Sequence, residues 1–266
     1  YNYRGFAYDN KGDYDRAIAD YSAAIALNPK FAAAFLNRGN VYSLRKDYDR
    51  AIANFNEAIR LEPKDVIAFN KRGRAYDSKG DYDRAISDYS EAIWLDPKDA
   101  LTFFNRGNAY DNKGDLERAI TDYSEAIRLN PGSTIAYHRR GNAYYAQRAF
   151  DLAIADYGAA IRLNPKIAAT YFNRGNAYYA KKDYDRAIAD LNQAIALDPS
   201  DAVAYYDRSF AYLNNNQPDR ALTDINMVIK LDPKDAVAFN NRGAVYRKKG
   251  NYDRVIADLN ETIKLD

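Results

Sequence analysis

Asparagine and aromatic side chains recur beside a glycine at several places in this chain. The segment FFNRGNAY occupies residues 103–110, its core NRGNAY returns at residues 173–178, and RGNAY returns at residues 140–144. Asparagine is a poor helix former, so its repetition needs a reason. Its carboxamide both donates and accepts hydrogen bonds, which suits the amide groups of an extended polypeptide, and a neighbouring ring adds apolar contact area. These residues therefore suggest hydrogen bonding to a peptide, with bridging between repeated structural elements as the alternative.

The residue inventory excludes several classes of catalytic and metal site. The chain has no cysteine, which removes disulfides, thiol catalysis and thiolate metal ligands. Its single histidine, His138, cannot build a multi-histidine metal site and lacks a plausible catalytic serine or cysteine partner. No nucleophile motif, phosphate loop or paired-acid constellation stands apart from the repeated pattern. We therefore expect no enzymatic activity and no cofactor.

Charge and hydropathy narrow the range of partners. The 39 Lys and Arg residues nearly balance the 37 Asp and Glu residues, so no strong basic field favours nucleic acid or an anionic membrane. No apolar run approaches the roughly 18 residues of a membrane span, and no signal-like segment opens the chain. We expect a soluble protein, cytoplasmic or periplasmic. Its first residue is Tyr1 rather than Met, which indicates a trimmed chain or a mature fragment.

Glycine recurs at a fixed interval of 34 residues, and proline keeps the same interval from Pro29 to Pro233. The glycine series is Gly5, Gly39, Gly73, Gly107, Gly141 and Gly175, followed by Ser209 and Gly243. Eight units therefore follow one another without insertion, and we expect a single array over residues 1–266. The expected repeats are 1–31, 32–65, 66–99, 100–133, 134–167, 168–201, 202–235 and 236–266.

Each unit has the pattern of two helices. In the fourth unit Phe103, Gly107 and Tyr110 are spaced as one helix face, and a second such segment follows. KGD at residues 113–115 predicts a turn whose acid caps the second helix, and Pro131 ends that helix. The residues expected to cap the first helices are Asp65, Asp99, Ser133, Asp201 and Asp235.

The pattern closely resembles the tetratricopeptide repeat family over essentially the whole chain. The matching features are an aromatic residue four before the glycine, the glycine itself, a tyrosine three after it, an alanine–aromatic–alanine second helix and a closing proline. The resemblance implies an all-α fold, a right-handed α-α superhelix (solenoid) of antiparallel helix pairs whose first helices line a concave groove. One departure is consistent, because an arginine precedes each glycine where the family usually has an apolar residue.

Aromatic residues that the framework does not use fall on one side of the first helix. At about 100° per residue, the positions three before, two before, one after and four after the glycine lie roughly 80° to 200° from the framework face. We call these positions the first-helix stripe. A solvated face would carry Lys and Glu, so the stripe predicts a peptide-binding groove. Its predicted binding residues are Asn37, Asn40, Asn70, Lys71, Arg74, Phe104, Asn105, Asn108, His138, Arg139, Asn142, Tyr145, Phe172, Asn173, Asn176, Tyr179 and Tyr206.

Two ligand-binding modes of the family can be compared with the stripe. In some members an asparagine ladder holds the ligand backbone, and its positions here are Asn37, Asn105, Asn173 and Asn241. The chaperone-cofactor branch grips a terminal carboxylate across three repeats. Asn105 and Arg139 match that clamp, but Asn70, Arg74 and Ile135 stand where Lys, Asn and Lys are expected. The clamp is broken, so binding to chaperone tails is not expected.

The remaining cations of the same window favour an acidic or C-terminal ligand segment. The stripe in this window carries Lys71, Arg74, His138 and Arg139, with Arg74 and Arg139 placed to pair carboxylates. Scattered solvated cations are the alternative interpretation.

The arginine before each glycine has a structural interpretation. An acid recurs in the second helix of each unit except the second, where Asn54 replaces it opposite Arg38. We predict interhelix ion pairs, with another or weaker partner for Arg38. Trp94 occupies a place that carries Arg or Lys in most other units, and we predict that it packs beneath a neighbouring helix.

Two other functions compete with peptide binding. An RNA-reading helical repeat is disfavoured by the net charge of +2 and by Asp9, Asp77, Asp111 and Asp207 on the stripe. A self-assembling scaffold would use apolar surface exposed on the terminal repeats, giving a homo-oligomer.

Overall fold

The computed structural model describes residues 1–265, which form sixteen α-helices and no strand. The chain divides into two compact units, Tyr1–Pro131 and Gly132–Asp266. The first unit contains α1 (Asn2–Asn10), α2 (Tyr14–Leu27), α3 (Ala32–Leu44), α4 (Tyr48–Leu61), α5 (Val66–Ser78), α6 (Tyr82–Leu95), α7 (Ala100–Asn112) and α8 (Leu116–Leu129). The second contains α9 (Thr134–Ala146), α10 (Phe150–Leu163), α11 (Ala168–Ala180), α12 (Tyr184–Leu197), α13 (Ala202–Asn214), α14 (Pro218–Leu231), α15 (Ala236–Lys248) and α16 (Tyr252–Leu265).

Polar side chains cap most of the helices at the predicted places. The Asp65 carboxylate accepts from the backbone N–H groups of Ile67 and Ala68, at 2.9 and 3.2 Å. Asp115 accepts from the Arg118 backbone N–H at 3.1 Å, as the KGD turn predicts. The other predicted caps are also confirmed: Asp99, Ser133, Asp201 and Asp235. These contacts satisfy N–H groups that a helix leaves unpaired at its start.

The turn inside each helix pair requires a left-handed backbone at one position. Gly80 takes this conformation with φ of +77°, which costs glycine little. Half of the repeats place a side chain there instead, as Lys46 does with φ of 60°. The other three are Arg148, Lys182 and Asn216. A non-glycine residue in this region is strained by roughly 1–2 kcal/mol, so these turns are held by the packing of the helices on either side.

The repeated glycine lets the two helices of a pair approach closely. A Cβ added to Gly141 of α9 would lie 2.8 Å from Cε1 of Tyr157 in α10. Tyr157 is buried in that contact, and its counterparts Tyr21, Phe55, Tyr89 and Tyr123 are buried in the same way. The second-helix ring therefore rests directly on the first-helix backbone. Because the ring approaches the backbone this closely, its far end reaches the first-helix stripe.

The recurring arginines form the predicted interhelix ion pairs. Arg106 donates from Nε and Nη2 to the two carboxylate oxygens of Asp122, at 2.7 and 2.8 Å. The Asp122 side chain is 5% exposed and that of Arg106 is 19% exposed. The guanidinium carbon also lies 5.7 Å from the ring centroid of Phe103. The same pairs are Arg4–Asp20, Arg72–Asp88, Arg140–Asp156, Arg174–Asp190, Arg208–Asp224 and Arg242–Asp258.

Arg38 bonds to neutral side chains instead of a carboxylate, as predicted from Asn54 opposite it. Its Nε donates to Asn54 Oδ1 at 2.8 Å, and its Nη1 donates to Ser22 Oγ at 2.9 Å. Asn54 also donates from Nδ2 to the Arg50 carbonyl at 2.7 Å. Because no carboxylate faces Arg38, burial lowers its pKa, whereas the bond to Asp122 raises the pKa of Arg106.

The prediction that Trp94 packs beneath a neighbouring helix is wrong. Trp94 lies in the last turn of α6 and is 75% exposed. The equivalent side chains Arg60, Arg128 and Arg162 are exposed as well. The helix face at this position points away from the packed core, and tryptophan does not change that geometry. Across residues 1–265, no helix is both long and apolar enough to cross a membrane.

Candidate functional site

One core tyrosine of the second unit, Tyr157, contributes a polar atom to the stripe. The Tyr157 ring lies against Gly141, and its hydroxyl donates to Oδ1 of Asn142 at 2.8 Å. Burial raises the pKa of this hydroxyl well above its ordinary value, so it remains a neutral donor. A residue of the second helix thus fixes the orientation of a side chain on the first helix.

A cavity of about 260 Å³ opens beside this contact, between α9 and α11. It is lined by Asn142, Tyr145, Tyr157, Asn173 and Asn176, four of which belong to the predicted site. Asn173 donates from Nδ2 to Asn142 Oδ1 at 3.0 Å. Asn176 donates from Nδ2 to Asp207 Oδ2 at 2.9 Å. The cavity is therefore lined by side chains that already hold one another in place.

Besides these hydrogen bonds, some amide donors and acceptors of the cavity lining have no partner among residues 1–265. Asn142 accepts two hydrogen bonds through Oδ1. Its Nδ2 group donates none among residues 1–265. Asn173 and Asn176 donate through Nδ2, and their Oδ1 acceptors have no partner in the same range. One unpaired donor group and two unpaired acceptors thus belong to side chains that line a single cavity. An extended peptide presents the complementary carbonyl and N–H groups.

Aromatic rings border the amides of the second unit. Tyr145 is 37% exposed and packs on Phe150, with 5.5 Å between ring centroids. Tyr179 packs on Tyr184 at 5.6 Å, and its hydroxyl accepts from Asn214 Nδ2 at 2.9 Å. Phe172 is half-buried against the core formed by α12, α13 and α14. These rings are held in fixed positions, which lowers the entropic cost of contact with a ligand.

Tyr206 is tied to the residue that caps α15. Its hydroxyl donates to Asp235 Oδ2 at 2.7 Å, and its ring stacks on Phe210 with 6.4 Å between centroids. Burial and the Asp235 carboxylate raise the pKa of this tyrosine. Asp207, which precedes the Arg208–Asp224 pair, has a pKa raised by burial and lowered in part by its bond from Asn176.

His138 orients Asn173 from the preceding repeat. Its Nε2 lies 3.3 Å from Asn173 Nδ2, and its Nδ1 lies 3.0 Å from Thr170 Oγ1. Asn173 must donate there, so the ring proton resides on Nδ1. Burial, together with the charge of Arg139, lowers the pKa of His138. The imidazole is therefore neutral near pH 7. Arg139 itself is exposed and makes no ion pair among residues 1–265.

The stripe of the first unit has its own cavity, of about 320 Å³, between α3 and α5. It brings together three predicted residues, Asn40, Lys71 and Arg74, with Ser43 and Ser78. Lys71 donates from Nζ to Asn40 Oδ1 at 3.0 Å. Arg74 is exposed and makes no hydrogen bond or ion pair among the described residues.

The remaining predicted residues of the first unit differ in what they contact. Asn37 donates to Asn2 Oδ1 at 3.3 Å, and Asn70 lies 2.9 Å from Thr102 Oγ1. Asn108 Oδ1 accepts from the Tyr123 hydroxyl at 2.8 Å. The rings of Phe104 and Tyr123 have centroids 5.8 Å apart. Asn105 is half-buried and has no side-chain hydrogen bond within the described chain. Most of these amides bridge neighbouring elements, and Asn105 does not.

Sequence reasoning missed several residues of the site. Tyr123 and Tyr157 are absent from the predicted binding residues, yet their hydroxyls reach the stripe. The signal was present in the sequence, since these positions hold tyrosine where Phe55 and Leu191 occupy the equivalent places. Ser43 was also missed, although it lies four residues after Gly39 at a stripe position.

Models of one repeat family match almost the whole chain. Those described as tetratricopeptide repeat match residues 5–66, 54–87, 100–133, 168–201, 191–223 and 225–257. One described as TPR repeat matches residues 73–114 and 141–182. The chain belongs to the tetratricopeptide repeat family. The sixteen helices fit eight repeats of this tetratricopeptide (TPR) type, which confirms the predicted family and the all-α class of paired helices.

Solved TPR structures share the fold. The C-terminal part of a TPR repeat-containing protein from Cytophaga hutchinsonii superposes with a TM-score of 0.77 at 21% identity, covering 87% of this chain and 95% of that one. YrrB, described as a TPR protein with an unusual peptide-binding site, gives 0.61 at 23% identity, with 69% and 95% covered. MamA gives 0.60 at 27% identity, with 62% and 96% covered. No curated protein matches the chain significantly.

Proposed function

We propose that this TPR chain is a non-catalytic scaffold that binds an extended peptide segment of a partner protein in a groove lined by the first-helix stripe. The observation that carries the proposal is the cavity of the second unit, where one free amide donor group and two free amide acceptors converge beside Tyr145. Peptide binding by the TPR protein YrrB supports the same class of ligand. At this level of identity it supports the class and not the residues.

The pattern of existing hydrogen bonds explains how the site could be selective. Asn173 is held by both Asn142 and His138, so its free oxygen has one orientation. A preorganised acceptor loses little conformational entropy when a peptide N–H binds to it. Side chains of the peptide would then contact the rings of Tyr145 and Phe172, which border the amides.

An acidic or C-terminal ligand segment is part of the proposal. Arg139 in the second unit and Arg74 in the first are exposed stripe cations without a carboxylate partner among residues 1–265. A guanidinium in this state can bind a ligand carboxylate with two parallel hydrogen bonds. No nucleic acid partner is proposed, because the stripe also carries the carboxylates of Asp77 and Asp207.

The test begins with selection of extended peptides from a random displayed library against the whole chain. Affinity of a selected peptide is then measured by calorimetry for Asn142→Ala and Asn173→Ala. The matched control is Asn260→Ala, since Asn260 is exposed on α16 and its side chain makes no hydrogen bond among residues 1–265. We expect roughly tenfold weaker binding for each stripe variant and no change for the control. Selected peptides that bind all three variants equally would refute the proposed groove.

The acidic preference has a separate test. Arg139→Gln is compared with Arg162→Gln, an exposed arginine on α10 outside the stripe. Weaker binding and a smaller salt dependence for the first variant alone are the expected result. A ligand selected without acidic residues or a free C-terminus would contradict this part of the proposal and leave the groove itself standing.

Self-assembly is the second candidate function, and one observation favours it. Tyr252, Ile256, Leu259 and Ile263 form an apolar stripe along α16, with exposures between 40% and 75%. In the sixth repeat the corresponding Ile188, Leu191 and Ile195 are buried. We propose that a first helix of another copy covers the α16 stripe. Light scattering over a concentration series should then show assembly that Ile256→Asp abolishes, and a monomer at all concentrations would exclude it.

A further inference from the structure

The cavity between α3 and α5 combines two cations with hydroxyl groups, and its chemistry differs from that of the amide-lined cavity in the second unit. Its polar lining consists of Lys71, Arg74, Asn40, Ser43, Ser78 and Tyr48. We name this set the Lys71–Arg74 pocket. None of its lining residues is acidic. The positive charge of the pocket therefore has no counter-ion within its own wall.

Neither cation forms an ion pair with a neighbouring element among residues 1–265. Lys71 bonds to the neutral amide of Asn40, and Arg74 has no bonded partner among residues 1–265. Asp9 and Asp77 lie within electrostatic range, but neither forms an ion pair with Lys71 or Arg74. Burial, followed by the charge of Arg74, lowers the pKa of Lys71. An anion between the two cations would relieve this repulsion.

A buried hydroxyl supplies an independent observation. Ser43 Oγ is enclosed and has no hydrogen-bond partner among the described residues, although it belongs to the pocket lining. An unsatisfied buried hydroxyl costs about 1–3 kcal/mol, so such groups usually have a partner. Ser78 adds a second hydroxyl to the lining of the same pocket. The side chains of Lys71, Arg74 and the two serines thus line one cavity.

We propose that the Lys71–Arg74 pocket binds a tetrahedral phosphate-type oxyanion, presented by a phosphorylated side chain of the peptide ligand. A phosphate monoester carries a charge of about −1.5 to −2 near neutral pH, which matches two cations better than a single carboxylate does. It also offers three acceptor oxygens for the two cationic and two hydroxyl donors. The volume of about 320 Å³ leaves room for the phosphate and the side chain that carries it.

This inference rests on the proposed peptide-binding function for the source of the phosphate, but the pocket can be tested without a peptide. Inorganic phosphate is titrated into the whole chain, and the backbone amide signals of Ser43, Lys71, Arg74 and Ser78 are followed by NMR. We expect saturable shifts at these residues. Lys71→Gln and Arg74→Gln should each weaken binding roughly tenfold, since each removes a charge-assisted contact.

Lys64→Gln is the matched control, because Lys64 is exposed in the turn before α5 and lies outside the pocket. It removes the same charge from a position only a few residues away and should leave phosphate binding unchanged. Arg74 has no bonded partner, so its variant is expected to fold normally. An equal loss of phosphate affinity in Lys71→Gln, Arg74→Gln and Lys64→Gln would overturn the proposal. The absence of a saturable NMR shift at the pocket would overturn it as well.

The second arm uses a selected peptide synthesised with serine, glutamate or phosphoserine at each position in turn. At one position, phosphoserine should increase affinity at least about tenfold over serine and clearly over glutamate, and Arg74→Gln should remove the increase. Equal binding of glutamate and phosphoserine would assign the pocket to carboxylates and refute the phosphate. Saturable binding of inorganic phosphate with no peptide binding would instead contradict the groove and support the pocket.

Discussion

The hydroxyl of Tyr157 donates to the carboxamide oxygen of Asn142 at 2.8 Å, across the two helices of one pair. Tyr157 is a core residue by burial, and Asn142 lines the candidate site. A single hydrogen bond therefore links the packing of the helix pair to the orientation of a proposed ligand-binding group. The link exists because Gly141 has no side chain to hold the ring away.

The first prediction compares two tyrosines at equivalent positions. Tyr157→Phe removes a made hydrogen bond and should lower the free energy of unfolding by about 1 kcal/mol. Tyr89→Phe removes a buried hydroxyl that has no partner among residues 1–265, so it should leave stability unchanged or raise it by about 1 kcal/mol. Urea denaturation of both variants, measured in parallel, checks the difference. Equal destabilisation would show that Tyr89 has a partner in solution.

The second prediction concerns the arginine–aspartate pairs. Arg106→Ala leaves the Asp122 carboxylate buried without its bidentate partner, which should cost about 3 kcal/mol. Arg38→Ala removes an arginine that bonds to neutral Asn54 and Ser22, so its cost should be roughly half as large. Denaturant midpoints give the comparison. Combining Arg106→Ala with Asp122→Ala should restore part of the lost stability, and additive losses would contradict a coupled pair.

The third prediction tests the exposed position of Trp94. Trp94→Arg introduces the residue found at Arg60 and Arg128, and it should change stability by less than about 0.5 kcal/mol. Because Trp94 is the sole tryptophan, the emission of the native chain should resemble that of indole in water. A blue-shifted emission, or destabilisation by several kcal/mol, would place the ring in a packed environment.

The fold was predictable from the sequence because the interval of 34 residues, the glycine and the cap residues each constrain the backbone directly. Asp65 and Asp115 cap the helices that local spacing assigned to them. The ion pairs were equally predictable, since Arg106 and Asp122 recur together in almost every unit. These features depend on short-range geometry, and the same sequence pattern recurs in eight units.

The site was less predictable, because a helical wheel gives the direction of a side chain and not its partner. The wheel placed Asn105 and Asn173 on one stripe, yet Asn173 bonds to Asn142 and His138 whereas Asn105 is unbonded within residues 1–265. It also leaves out Tyr157, which lies on a second helix, although its ring is long enough to carry the hydroxyl to the stripe. The prediction for Trp94 was wrong for a different reason. Its residue type suggested burial, but its position on the helix faces outward.

The last prediction is a pH dependence centred on His138. Burial, with the charge of Arg139 adding to it, lowers the pKa of this histidine in the folded chain below the ordinary value of about 6.5. As the pH falls through about 6.5, the unfolded chain takes up a proton before the folded chain does, so folding stability decreases. The stability levels off below the pKa of His138 in the folded chain, where both states carry the proton. Protonated Nε2 also cannot accept from Asn173, so peptide affinity should fall as the pH passes below the pKa of His138 in the folded chain.

One histidine in the chain makes the measurement unambiguous. NMR titration of the imidazole signals gives the pKa of His138 directly, and denaturant midpoints between about pH 5 and pH 8 give the stability profile. His138→Gln keeps a neutral polar group and should flatten the contribution of this residue to both the stability and the affinity profiles. An imidazole that titrates at or above its ordinary value would mean that the ring is hydrated, and the hydrogen bonds to Thr170 and Asn173 would then not persist in solution.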